Sequence, residues 1–343
     1  MRYRRLALAA GLLLFFWLVH RIGFGVIAGC LRQVGWGFAA VLALEGVVVV
    51  FTTLGWRLTL ADPGRVPLPS LAAMRIAGDG VNALAPAAVV GGEIVRAGLL
   101  SRYVPGPEAL GSVGVAAMSQ FLAQVLFVGA GATFARGGTV EPRLRVLGPL
   151  LLVFAALFVV FLAWAFRRRA PDMPFARFLA WVGRLPGGKA LGERFGNDLV
   201  ASVGDSVRER PGRLAASVLL FLGGWLVSFA EVALVMTLLG APVASATSFT
   251  IAVLAVLVEG VFFFVPARVG VQEGGLYALF PALGLDPVLG FAVGLVRRLR
   301  ELTWGLAGFA ILGFLRKRNS ESGAPRSSAP PAETPLRGRS AAS

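Results

Sequence analysis

Residues 79–93 recur without a gap at residues 259–273. Six of the fifteen positions are identical: Gly80/Gly260, Val81/Val261, Pro86/Pro266, Ala87/Ala267, Val89/Val269 and Glu93/Glu273. Average residue usage gives on the order of one match by chance. The offset of 180 continues at Pro107/Pro287, Val113/Val293 and Gly114/Gly294. Both copies are apolar and both are interrupted by proline and glycine. A chain with this echo is constrained to build one broken unit twice. In membrane proteins, such paired breaks at matching places of two halves point to a transporter's binding site.

Composition says that the setting is a membrane. The 343 residues are 57% hydrophobic and 15% charged, and apolar runs long enough to span a bilayer recur along them. The net charge of +15 does not imply nucleic acid. Most basic residues flank apolar runs, as the positive-inside rule requires of loops at an anionic leaflet, and no basic groove with stacking aromatics is present. The single cysteine, Cys30, excludes an internal disulfide and a Cys-rich metal site. The single histidine, His20, sits beside Arg21 near a helix end and reads as an interfacial residue. No metal site, cofactor or catalytic triad is expected from such material. The stretch from Gly183 to Ala190 nearly matches a P-loop. Ala190 stands where Ser or Thr would hold magnesium, so ATP binding is not expected.

The apolar runs lay out an all-α polytopic protein. A first span is expected at about 6–28, starting in the cytoplasm, and a second at about 36–56, carrying Glu45. Residues 68–104 are too broken for one span and suit a re-entrant hairpin or two short tilted helices. Spans at about 110–134 and 146–166 follow. The polar stretch 167–213 holds ten Lys/Arg and five Asp/Glu and reads as a cytoplasmic loop. A span at about 214–239 carries Glu231, residues 245–283 hold the second broken segment, and a last span at about 287–315 stops at Arg316-Lys317-Arg318. The expectation is therefore about six full spans plus two Gly/Pro-broken hairpins, or eight spans. They form one transmembrane domain, 1–318, with repeats at about 36–134 and 214–315. The Ser/Pro/Ala-rich tail 319–343 reads as disordered and cytoplasmic. By parity, the two helix–hairpin–helix units enter from opposite faces, which is an inverted-topology repeat. Arg136, Arg143 and Arg145 fall on the outer side and run against the charge rule.

Several residues in this frame carry chemistry. Glu93 and Glu273 close the two motif copies, just after breaks that leave backbone groups free. A carboxylate at membrane depth is costly unless paired or wet, so the pair reads as cavity-lining. Arg96 lies three residues after Glu93, on the same helical face, and Arg268 lies in the second break. Asn82 and Asp79 add polarity to the first hairpin only. In the last span Arg297, Glu301 and Trp304 share a face, with Arg300 beside them. Guanidinium groups there suit an anion or phosphate; the alternative is a span that begins late, with the arginines at the outer interface. At offset 180, Gln120 answers Arg300 and Gln124 answers Trp304. Glu45 and Glu231 either pair with these arginines or only fix helix packing.

At these residues the chain resembles the lysylphosphatidylglycerol synthase transmembrane-region family, also called flippase-like. Asn82, Pro86, Gly91-Gly92-Glu93 and Arg96 resemble its first signature. Pro266, Gly270 and Glu273 resemble its second, P-x-G-x-G-x-x-E. Residues 270–275 with Arg297-Arg298, Arg300-Glu301 and Trp304 are similar to its hopanoid-associated (HpnL-like) branch. The resemblance covers about residues 5–315, with one departure: Arg268 stands where the first glycine of the second signature is usual. It implies a multi-pass protein of the bacterial inner membrane that moves a lipid between leaflets, hopanoid-type or an anionic or aminoacylated phospholipid. Lysyl-lipid synthesis is not expected without an aminoacyl-transferase domain. Two alternatives stand beside transport: an integral-membrane lipid-modifying enzyme, and a scaffold for lipid-synthesis enzymes. Lipid-biosynthesis or envelope-transport proteins are the expected partners.

Overall fold

The structure, a computed structural model, describes residues 2–84, 91–134, 209–262 and 270–321, with a few single positions between them. Pro86, Pro266, Arg268, the outward arginines 136, 143 and 145, the expected span 146–166, residues 167–208 and the tail from 322 lie outside the described residues. Among those described there is no strand. The helices are α1 (Arg2–Ile22), α2 (Phe24–Val34), α3 (Gly37–Arg57), α4 (Leu68–Leu84), α5 (Gly91–Leu100), α6 (Gly106–Phe134), α7 (Pro211–Leu238), α8 (Ser245–Val261), α9 (Val271–Leu279) and α10 (Pro287–Glu321). A short 3-10 turn, Phe280–Leu283, follows α9.

Among the described residues three helices, α3, α6 and α7, are long and apolar enough to cross a membrane. At 1.5 Å per residue even the shortest of them spans about 31 Å, the thickness of the hydrocarbon layer. The expected first span is not one straight helix. It breaks at Gly23, whose φ of 91° side chains rarely adopt, and α1 and α2 meet there at 90°. As one bent span the pair raises the count among the described residues to four. α10 is long, but its charges between Arg297 and Glu301 keep it out of that group. It also continues past the expected end at 315.

The helices repeat close to the offset of the motif. α5 begins at 91 and α9 at 271, 180 residues on; α6 begins at 106 and α10 at 287, 181 residues on. The packing repeats as well. α4 lies on α10 as α8 lies on α6, α4 lies on α5 as α8 lies on α9, and α3 and α7 pack on each other. α1 and α2 attach to the second half, against α9, α10 and α7. The α4–α10 crossing is very close. A Cβ on Gly308 would sit 2.4 Å from the carbonyl oxygen of Ile76, and Gly80 faces it.

Two apolar clusters fill the bundle. One joins α6, α7, α8 and the first half of α10, with Phe127 stacked on Trp225 at 5.8 Å and edge-on to Phe249 at 5.0 Å. The other joins Trp56 of α3 to α4, α5, the first part of α6 and Leu312 of α10.

Candidate functional site

A polar cavity of about 250 Å³ opens within this bundle. Its charged and amide lining comes from α3 (Glu45), α4 (Arg75, Asp79), α6 (Gln120), α8 (Glu259) and α10 (Arg297, Arg300, Glu301), with Ser228 of α7. Both motif copies therefore contribute through their first position, Asp79 and Glu259, which match in charge but not in identity.

In the first half, α4 and α5 are joined across the Pro86 break by side chains. The Asn82 carbonyl oxygen accepts from the Gly92 N–H at 2.8 Å, and its amide donates to Glu93 at 3.3 Å. One of the first free N–H groups of α5, that of Gly92, is thus satisfied from the end of α4. Arg96 donates to Glu93 at 3.1 Å and reaches Asp79 as well. Arg75 of α4 donates to Asp79, four residues on, and to Gln120 of α6, both at 3.0 Å.

In the second half, Gly270 caps α9 in the left-handed region, φ 76°, a conformation that glycine adopts without strain. This turn sets Gln272 and Glu273 in the first turn of α9. Glu273 is fully buried and accepts from Arg298 Nε at 3.1 Å; Arg298 also donates to Glu301 at 3.0 Å. Gln272 donates to Glu259 at 3.0 Å, and the Arg297 guanidinium lies 3.6 Å from the same carboxylate.

Arg300 connects the halves. It pairs with Glu45 of α3 at 3.0 Å and with Glu231 of α7. Trp304, one turn further on, donates its indole N–H to the Leu42 carbonyl of α3 at 3.3 Å. Of the alternatives left open for Glu45 and Glu231, pairing with an arginine is the observed one.

All five arginines of these networks are buried. Each is paired with at least one of seven carboxylates. Burying a charge in hydrocarbon is costly, and pairing is how a chain tolerates it. The cluster is therefore a mesh of ion pairs rather than an open cationic patch. Some capacity remains: Nε of Arg297 and of Arg300 and Oε1 of Glu231 have no hydrogen-bond partner among the described residues.

The arrangement differs from the sequence expectation in detail. Glu93 and Glu273 do not line the cavity opposite Arg297 and Arg300; each is tied to its own arginine, Arg96 and Arg298. Gln124 is half-buried and outside the cavity lining. Arg75 is the residue that sequence reading missed. Its signal was present, an arginine inside an apolar run four residues before Asp79. No group of three or more Asp, Glu, His or Cys suited to a metal occurs among the described residues.

A protein-family model described as the lysylphosphatidylglycerol synthase TM region matches residues 5–308, which include every charged residue of the cavity. No curated protein and no solved structure matches the chain.

Proposed function

The chain belongs to the lysylphosphatidylglycerol synthase TM region family, and from that premise we propose that it moves a lipid headgroup between leaflets through the charged cavity. The two units, α3–α6 and α7–α10, act as an inverted-topology repeat, with α4–α5 entering from one face and α8–α9 from the other. Rocking of one unit against the other opens the cavity to each side in turn. In this reading the protein lies in the bacterial inner membrane with both termini in the cytoplasm.

One observation carries the reading: ion pairs from both halves converge on a single buried cavity, and Arg300 bridges α3 and α7 there. A headgroup entering such a mesh exchanges partners with it and does not face a bare, desolvated charge. The spare Nε groups of Arg297 and Arg300 offer donors to a phosphate or hydroxyl oxygen.

The test is leaflet translocation of a fluorescent lipid in proteoliposomes. Wild-type protein accelerates it over protein-free vesicles, and Glu259→Gln and Arg297→Gln each slow it at least about tenfold, the size of one lost charged contact. Unchanged rates in both variants rule out this cavity as the path. A change in the mass of the lipid favours a lipid-modifying enzyme instead.

A further inference from the structure

A second cavity, of about 470 Å³, lies apart from the charged one, where the start of α4, the end of α5 and the end of α10 meet. Its inner wall is apolar, with Met74, Leu99 and Ile311. At the helix ends stand Phe314 and, just beyond α5, Arg102 and Tyr103. We propose that this cavity binds one anionic phospholipid, its acyl chain along the apolar wall and its phosphate on Arg102 and the Tyr103 hydroxyl.

Three observations support that occupant. Arg102 is exposed and has no ion pair or side-chain hydrogen bond among the described residues, unlike the arginines of the central cavity. Phe314 is 64% exposed beside it, so the site presents an apolar surface and an uncommitted cation together. Further basic residues adjoin its lining in sequence. Arg213 at the start of α7 donates to the Leu60 and Ala61 carbonyls in the turn after α3, which leads to α4, and Arg316 and Lys317 follow Leu315 of the cavity wall. A basic face of a membrane protein meets the anionic leaflet. Lipid tails fill any groove in a bilayer; Arg102 and Tyr103 make this one selective for headgroup charge. Binding here does not require that the chain transport lipid.

The full chain is reconstituted into phosphatidylcholine vesicles that contain a small fraction of a photoactivatable lipid. The lipid is phosphatidylglycerol in one arm and phosphatidylcholine with the same diazirine chain in the other. Labelled peptides are then mapped by mass spectrometry. The expected result is labelling within 69–74, 99–103 and 311–315 about fivefold stronger with phosphatidylglycerol, the worth of one basic residue near an anionic lipid. Arg102→Gln, an exposed substitution that leaves the core intact, lowers it to the phosphatidylcholine level. Ala73→Trp, which fills the cavity, removes labelling by both probes, and Arg297→Gln in the other cavity leaves it unchanged. Equal labelling by the two probes, or Arg102→Gln equal to wild type, overturns the proposal. Labelling that appears only after deletion of 322–343 also overturns it, because the chain's own tail is then the occupant. Failure of the transport reading shows separately, as intact labelling without translocation.

Discussion

Replacing Arg300 with glutamine removes the one cation that sits between Glu45 and Glu231. The geometry sets the cost. The side chains of Arg300 and Glu231 are 8% and 2% exposed, while that of Glu45 retains 23%. Removing one partner of a buried ion pair costs about 3–5 kcal/mol, because the other charge stays buried and unpaired. Here the lower end applies, because the Glu45 side chain is only partly buried. A loss of about 3 kcal/mol corresponds to a fall in Tm of about 4 °C for a chain of this length. Cys30 is a built-in reporter, being the only cysteine and half-buried against the core. Heating in the presence of a fluorogenic maleimide therefore reads unfolding from one site. Adding Glu231→Gln to Arg300→Gln removes the most buried of the stranded charges, and the double variant recovers about 2 kcal/mol relative to the single one. If Arg300→Gln melts with the wild type, or if the double variant is less stable than the single, Arg300 does not hold the two helices through these carboxylates.

Two further outcomes follow from the packing of the halves. Gly308→Ala drives a Cβ into the Ile76 carbonyl with backbone on both sides and costs about 1–3 kcal/mol in the same melting assay; Gly313→Ala, which meets nothing within 4 Å, is neutral. Asn82→Ala deletes the bonds that tie α4 to the start of α5. It costs about 1–2 kcal/mol, and hydrogen exchange rises at residues 91–96 while residues 271–276 keep their protection.

The apolar runs were enough to read an all-helical membrane protein, because span length is written locally. The bend at Gly23 was not legible. Glycine inside an apolar run is common, and only its backbone dihedral ends α1. Side-chain pairing was legible in kind but not in detail. Arg297 and Arg298 are about 100° apart around α10, so the rotation of α10 against α9 decides which of them meets Glu273, and no local pattern encodes that rotation. Asp79 was read as a feature of the first hairpin only, and its match with Glu259 escaped attention because the echo was counted in identities and this pair shares charge alone. Arg75 became meaningful once α6 brought Gln120 to it.

Access to the cavity from both sides of the membrane is the central claim. With Cys30 replaced by serine, a single cysteine at Ser228, a cavity-lining position, can be probed in sealed proteoliposomes with a membrane-impermeant thiol reagent. Alternating access predicts that the cysteine reacts whether the reagent is added outside or trapped inside. A translocated lipid slows both reactions. Reaction from one side only, unchanged by lipid, contradicts the account.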